Sequence, residues 1–251
     1  MLEDITQTDY NRFNTLENAY RTHTGNVRAL NEDALMVHRE YPLYVIADGM
    51  GGHSAGDRAS QYIVEQMAAL EFSQIGLQSR ITEIEQAIRE INRAINNSQW
   101  VDDPSAIVGS TIVAAYIEDN ICTCFWIGDS RLYIYRDQRL YQITRDHSMV
   151  QDMVDKGLLR QEEATDHPNH NVLTRAVGVD ARINIDINQF EIKSGDKLLL
   201  CSDGLYNELD NQNIVDCLNK EHTENIAEDL LQGVLSRKAA DNVSLIVINK
   251  Y

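Results

Sequence analysis

The sequence lacks the features that mark membrane-spanning and disordered proteins. Among 251 residues there are only 3 Pro, and no apolar run approaches the roughly 18 residues that cross a bilayer. Hydrophobic residues make up 43% of the chain and charged residues 24%, which is typical of a globular protein. We therefore predict one domain over residues 1–251, without long linkers and without a membrane partner.

Basic residues are scarce. There are 22 Lys and Arg against 39 Asp and Glu, which gives a formal net charge of −17, and no run of the sequence is rich in Lys or Arg. Nucleic acid is therefore excluded as an expected partner, because binding it depends on clustered cations that neutralise phosphates. The acidic excess has two explanations: a solvated anionic surface accounts for most of it, and some carboxylates could hold divalent cations.

Cysteine is rare and is not spaced for metal binding or disulfides. Cys122 and Cys124 are separated by one residue, which does not fit a zinc knuckle, and Cys201 and Cys217 also lie in or beside apolar segments. Buried, reduced thiols are the expected state, and they are typical of the cytosol. The first residues also lack a basic region followed by an apolar core, so we expect a cytoplasmic protein.

One apolar segment ends abruptly in a carboxylate and glycines. Residues 43–47 have the length and β-branched content of a buried strand, and Asp48, Gly49, Met50 and Gly51 follow directly. A carboxylate and a backbone carbonyl at a strand end are hard oxygen ligands of the kind that Mg²⁺ and Mn²⁺ prefer. Taken alone, an ordinary Asp-Gly turn is the commoner explanation.

The same arrangement recurs along the chain. A hairpin about Tyr41 and Pro42 places the carboxylate just ahead of the preceding strand at the same end of the sheet as Asp48, and three further carboxylates flank predicted strands. These five residues are Asp33, Asp48, Asp129, Asp203 and Asp241. Carboxylates gathered at one point raise one another's pKa unless cations separate them. The pattern favours a pair of hard metal ions that promote in-line displacement at phosphorus.

Arg28 supplies a positive charge ahead of the first of these strands. A guanidinium near the metals could clamp two phosphate oxygens. Spacing alone slightly favours the alternative, a surface ion pair between Arg28 and Glu32.

Periodicity predicts the framework around these carboxylates. Apolar residues indicate a helix over 57–72, and isoleucines at alternating spacings of three and four predict a second helix with Ser79 as its N-cap: Ile81, Ile84, Ile88, Ile91 and Ile95. Strands are predicted over 111–116, 122–127, 131–135 and 139–143, as an antiparallel meander. The polar stretch 145–178 is interpreted as a surface excursion or small lid. Its three histidines favour solvated or capping roles over a zinc site.

Eight short motifs occur in order along the chain. They are residues 28–33 (RALNED), 48–53 (DGMGGH), 109–111 (GST), 128–131 (GDSR), 144–148 (TRDHS), 173–178 (LTRAVG), 202–205 (SDGL) and 241–242 (DN). In this order they resemble the motifs of the metal-dependent protein phosphatases of the PPM/PP2C type in their bacterial form. The resemblance extends from about residue 22 to residue 247.

The resemblance implies an α+β fold, a four-layer αββα sandwich of two antiparallel sheets flanked by helices. It also implies a serine/threonine protein phosphatase that uses two Mn²⁺ or Mg²⁺ ions. Asp48 would bridge both ions, the Gly49 carbonyl would bind the first, and Asp203 and Asp241 would hold the second. The other implied roles are outer ligands at Glu32 and Asp33, a weaker third ion at Asp129, phosphate binding at Arg28, and a flap over residues 145–178.

Two positions depart from the pattern of some relatives. Met50 stands where they have a histidine proposed as the general acid, which leaves His53 or a water as alternatives. Asn207 stands where they have a carboxylate for the third ion.

Two other functions stay open at the level of sequence. One is a phosphatase-like module that binds phosphorylated partners without turnover, and the other is a phosphatase of small phosphorylated metabolites. For the main interpretation, the expected partners are phosphorylated proteins, namely a cognate Ser/Thr kinase and its targets.

Overall fold

Two antiparallel sheets contain the strands of the described residues. The computed structural model describes residues 16–51, 55–98, 100, 107–164 and 167–251. The first sheet has five strands in the spatial order β1 (Leu16–His23), β11 (Val243–Lys250), β10 (Lys197–Cys201), β7 (Arg131–Arg136) and β8 (Arg139–Gln142). The second has the order β2 (Asp33–Val37), β3 (Leu43–Met50), β5 (Ile112–Glu118), β6 (Ile121–Ile127) and β9 (Asp186–Glu191), with the short β4 (Gly109–Ser110) paired to the end of β3.

Helices cover the outer face of each sheet. The long helices α1 (Ala55–Ala68) and α2 (Leu77–Asn96) pack on the second sheet, and α6 (Asn211–Leu218) and α7 (Thr223–Leu235) pack on the first. A third apolar cluster fills the space between the sheets, with Ile46, Leu200 and Ile246 among its buried members. The remaining described helices are α3 (Met149–Asp155), α4 (Gln161–Ala164) and α5 (Asp203–Tyr206). The predicted four-layer αββα sandwich is confirmed.

The isoleucine helix is present, and its predicted start is wrong. All five isoleucines of α2 are buried against the second sheet, as a stripe at helical spacing requires. The helix begins at Leu77, and its N-cap is Gly76 with φ 110°, without a side-chain cap. Ser79 therefore lies inside the first turn. The helix starts there because burial of the apolar stripe outweighs the contribution of a single side-chain cap.

The predicted meander is also wrong. The strands β5 and β6 pair with each other in the second sheet, whereas β7 and β8 pair in the first. Between them, Gly128 adopts φ 106°, a conformation that favours glycine, and the chain crosses from one sheet to the other. Hairpin-like spacing does not distinguish this crossover from a turn within one sheet. As a result, Asp129 lies in the connection that joins the two sheets.

One strand was not predicted at all. The strand β9 has the polar sequence DINQFE and pairs with β6 at the edge of the second sheet. Most of its side chains are exposed, so it lacks the apolar alternation that marks a strand in sequence. Its structure depends on backbone pairing with the buried β6.

The cysteines largely follow the prediction of buried, reduced thiols. All four cysteines are unpaired, and Cys122, Cys124 and Cys201 are buried. Burial raises the pKa of the Cys201 thiol to about 12, so it stays protonated. Within the described part of the chain, no helix has the length and apolar content needed to cross a membrane.

Candidate metal centre

The first two carboxylates of the site are direct cross-strand neighbours. The register of β2 and β3 pairs Asp33 directly with Asp48, at the shared end of the sheet that the predicted hairpin indicates. Asp33 is 3% exposed, and its Oδ2 accepts a hydrogen bond of 2.7 Å from the Ser202 hydroxyl. Its Oδ1 is buried and has no hydrogen-bond partner within the described residues. A buried carboxylate oxygen left in this way fits a site that takes a cation or an ordered water.

The second sheet alone does not complete the site, because two carboxylates come from the first sheet. Asp203 opens α5 directly after β10, and Asp241 precedes β11, so both lie at the same end of two antiparallel strands. Asn242 ties this end to the loop before β2: its Oδ1 accepts from the Glu32 N–H at 2.8 Å, and its Nδ2 donates to the Leu30 carbonyl at 2.8 Å. The two sheets thus meet at one rim.

The carboxylates of the site are close enough to raise one another's pKa values. Burial, followed by the charges of Asp33, Asp203, Asp129 and Asp241, raises the pKa of Asp48 well above its usual value. Burial is also the main cause for three of the others: it raises the pKa of Asp33 to about 7, of Asp129 to about 8 and of Asp203 to about 6. Carboxylates in this environment are costly to ionise unless a cation offsets their charge.

Four of the five carboxylates, all except Asp33, line one cavity of about 260 Å³. It is lined by Arg28, Glu32, Asp48, Gly49, Met50, Gly51, Thr111, Asp129, Asn171, Leu173, Asp203, Asp241 and Asn242. In the described part of the chain, no three Asp, Glu, His or Cys side chains form a complete ligand cage for one ion. Mg²⁺ rarely uses such cages, since it keeps several waters and binds through one or two carboxylates. The oxygen-only donor set therefore fits hard, partly hydrated cations.

Gly49 is required at the end of β3 by packing. A Cβ built there would lie 2.2 Å from the backbone oxygen of Gly56 and 2.7 Å from that of Glu32. The start of α1 therefore lies directly against the strand end. The Asp-Gly pair at positions 48–49 is a close backbone approach, which the sequence alone does not distinguish from an ordinary turn.

Arg28 pairs with a different carboxylate from the one that spacing favoured. Its Nη2 donates to Asp241 Oδ2 at 2.7 Å, and half of the side chain is exposed. Glu32 is not its hydrogen-bond partner, although the Arg28 charge acts on it. Burial raises the pKa of Glu32, and the nearby guanidinium partly opposes that rise. Arg28 therefore lies at the mouth of the cavity with its charge directed at the carboxylates.

Two hydroxyl residues position Asp48, and neither was assigned a role from sequence. The Thr111 hydroxyl accepts from the Asp48 N–H at 3.0 Å, and the Ser110 hydroxyl donates to the Asp48 carbonyl at 2.9 Å. Thr111 also shares a hydrogen bond of 2.7 Å with the hydroxyl of Ser130, beside Asp129. The sequence signal that could have indicated this role is the pair of polar residues beside an otherwise apolar strand.

The histidines of the polar stretch differ from the prediction in one case. His167 and His170 make local capping hydrogen bonds, but His147 is 5% exposed. His147 Nδ1 accepts from the Gly128 N–H at 3.1 Å, and its Nε2 lies 3.2 Å from Asp186 Oδ2. It therefore braces the crossover rather than facing solvent. His53, one of the alternatives for the general acid, lies outside the described residues.

Known proteins share this fold and these motifs. The family described as "Protein phosphatase 2C" matches residues 22–238. The serine/threonine protein phosphatase PstP of Mycobacterium tuberculosis is 34% identical over 232 residues, which covers 92% of this chain and 44% of PstP. The serine/threonine phosphatase stp of Listeria monocytogenes is 32% identical over 243 residues, covering 92% of this chain and 94% of that protein.

Solved structures agree. The catalytic domain of PstP in complex with two manganese ions superposes with a TM-score of 0.83 at 33% identity, covering 94% of this chain and 98% of that one. The fold and the rim of carboxylates thus define the class of metal-dependent phosphatases. This chain belongs to the protein phosphatase 2C family. It spans about 44% of the length of PstP and nearly all of the Listeria relative.

Proposed function

We propose that this chain is a serine/threonine protein phosphatase that hydrolyses phosphoserine and phosphothreonine in proteins with Mn²⁺ or Mg²⁺. The observation that carries the proposal is the convergence of carboxylates from both sheets on one cavity with a guanidinium at its mouth. Relatives named as serine/threonine phosphatases, one of them solved with two manganese ions, support it.

In the proposed site, the protein supplies oxygen ligands in three groups. Asp48 would contribute to the sites of both ions, and the Gly49 carbonyl would be a ligand of the first. Asp203 and Asp241 would hold the second ion, Glu32 and Asp33 would act largely through ordered waters, and Asp129 would help to hold a weaker third ion. When bound, the ions lower the pKa of a water toward neutrality and stabilise the attacking and leaving oxygens at phosphorus.

The remaining tasks fall to the residues of the chain itself. Ser202 donates to Asp33 and fixes the orientation of that carboxylate. Ser110 and Thr111 hold the backbone of Asp48 in place. Arg28 binds the phosphate of the substrate. To do so, its Nη2 leaves the Asp241 carboxylate and donates to phosphate oxygens instead.

We further propose that residues 1–251 form one domain in which residues 145–178 act as a flap beside the site. Asn171 and Leu173 of this segment line the cavity, so it is placed to contact a substrate. The proposed partners are phosphorylated proteins in the cytoplasm, including a cognate Ser/Thr kinase and the targets of that kinase.

The test of the function is release of inorganic phosphate from a phosphothreonine peptide and a phosphoserine peptide in Mn²⁺ and in Mg²⁺. The same assay with small phosphorylated metabolites is run alongside, together with Mn²⁺ titration by calorimetry. We expect turnover of the peptides. Turnover of metabolites alone would indicate a small-molecule phosphatase, and peptide binding without turnover would indicate a silent binding module.

For Arg28→Ala we expect kcat/KM for the phosphopeptide to fall roughly 10–100-fold, largely through a higher KM. The reason is that a hydrogen bond to a charged group contributes about 1.5–3 kcal/mol. Steady-state kinetics at saturating Mn²⁺ measure the effect. Arg139→Ala, which removes an exposed arginine of β8, is the matched control. An unchanged KM in Arg28→Ala would remove Arg28 from phosphate binding.

A further inference from the structure

Tyr206 joins two segments that each carry a carboxylate of the site. It is the last residue of α5, the helix that begins with Asp203. Its hydroxyl donates to the backbone carbonyl of Asp129 at 3.1 Å. Tyr206 therefore links the crossover between the sheets to the helix that follows β10.

The ring of Tyr206 makes a second connection, toward the start of the proposed flap. The guanidinium carbon of Arg131 lies 3.4 Å from the ring centroid, close enough for a cation–π contact. Arg131 binds the Asp146 carboxylate through Nε at 3.0 Å and Nη2 at 2.6 Å, a bidentate geometry. Asp146 is 8% exposed and is the second residue of the flap. The flap, Arg131, Tyr206 and the Asp203 helix thus form one contiguous network.

The crossover is held at each of its three residues by a different partner. Both backbone polar groups of Gly128 bond to His147, and Ser130 bonds to Thr111. The carbonyl of Asp129 accepts from Tyr206. Loss of the Tyr206 hydroxyl alone would therefore leave the path of the crossover intact but release the residue that carries the carboxylate.

A small cavity lies where Tyr206 meets Asp129. It has a volume of about 80 Å³, lies beside the main cavity and is lined by Tyr206, Asp129 and Asn207, with residues of the flap on its other side. Asn207, the C-cap of α5, donates through Nδ2 to Asp203 Oδ2 at 3.2 Å, whereas Tyr206 holds the backbone carbonyl of Asp129. Two neighbouring residues at the end of α5 thus contact both Asp203 and Asp129.

We propose that Tyr206 is a positioning residue: it fixes Asp129 relative to Asp203 and thereby sets the affinity for the cation that Asp129 helps to hold. The inference rests on the proposed function. The property that Tyr206 controls is cation affinity. Substitution of residues that orient ligands without touching the ion typically changes this affinity roughly 10–100-fold.

The test compares Tyr206→Phe, which keeps the ring on Arg131 and removes only the hydroxyl, with the unaltered protein. The matched control is Tyr135→Phe, because the Tyr135 hydroxyl also makes one hydrogen bond, of 3.0 Å to Asn219 Oδ1. Mn²⁺ is titrated by calorimetry, the hydrolysis rate is measured against Mn²⁺ concentration, and thermal unfolding is followed in EDTA. For Tyr206→Phe we expect roughly tenfold weaker binding of the weakest ion. The Mn²⁺ concentration that gives half of the maximal hydrolysis rate should rise by a similar factor.

The outcomes separate this inference from the proposed function. Weaker Mn²⁺ binding in Tyr206→Phe, with an unfolding midpoint in EDTA like that of Tyr135→Phe, supports it. Unchanged Mn²⁺ binding, or equal weakening in both variants, overturns it. If the unaltered protein releases no phosphate from any substrate, the proposed function fails, and the calorimetric comparison still decides the role of Tyr206.

Discussion

Asp203→Ala should abolish metal-dependent phosphate release while leaving the fold intact. The variant removes a carboxylate that the proposed site uses directly as a metal ligand. The loss of activity should therefore exceed the roughly 10–100-fold that is typical when a residue that only orients a ligand is replaced. Phosphate release from a phosphothreonine peptide, measured across Mn²⁺ concentrations, reports the effect. Substantial activity at saturating Mn²⁺ would contradict the proposed ligand set.

Although Asp203→Ala should abolish activity, it should not lower the stability of the metal-free protein in EDTA. Burial and the charge of Asp241 raise the pKa of Asp203 to about 6, so ionising it at neutral pH costs more in the folded chain than in the unfolded one. Removing the carboxylate removes that cost, and we expect an unfolding midpoint equal to or higher than that of the unaltered protein. Asp216→Ala, at an exposed position of α6, is the matched control and should change neither quantity.

Gly204→Ala should cost both stability and activity. A Cβ at Gly204 would lie 1.9 Å from the backbone oxygen of Asn242 and 2.9 Å from its carbonyl carbon. Because backbone cannot rotate away as a side chain can, α5 and the start of β11 must separate. Overpacking typically costs about 1–3 kcal/mol, and this contact falls at or above the upper end. The same shift moves Asp203 away from Asp241, so hydrolysis should fall as well.

Gly233→Ala is the matched control for this prediction. Gly233 lies within α7, and a Cβ there would meet only Leu209 side-chain carbons at 3.4 and 3.5 Å, an ordinary contact. Alanine in a helix interior is favoured over glycine by about 1 kcal/mol, so this variant should be as stable as the unaltered protein or more so. Denaturant unfolding of both variants measures the difference. Equal stability of the two would show that the close approach at Gly204 relaxes easily.

Much of the framework was predictable because burial leaves a periodic record in the sequence. The isoleucines of α2 recur at spacings that only a helix places on one face, and all five are buried. The apolar runs that end at Asp48 and Asp203 are strands, and the hairpin about Pro42 pairs Asp33 with Asp48 directly. In each case the signal is local, since it depends on neighbours a few residues apart.

Other features depended on contacts between distant segments. The crossover at Gly128 follows the same local pattern as a hairpin turn, and the sheet that each flanking strand joins was decided by β9 and β10. Arg28 has a carboxylate four residues away, but it pairs with Asp241, which lies 213 residues away along the chain. The hydroxyl groups that orient Asp33 and Asp48 likewise come from other segments of the chain, since Ser202 follows β10 and Ser110 lies in β4.

The sequence by itself determined the types of element, the helix faces and the chemistry of the donor set, since hydrophobic periodicity and residue identity are local properties. The tertiary structure decided which carboxylates share a cavity, which hydroxyls orient them and which charges raise their pKa values. The physical reason is that charge–charge interactions and hydrogen bonds act over a few ångströms of space. Only the packing of two sheets brings residues separated by more than two hundred positions within that range.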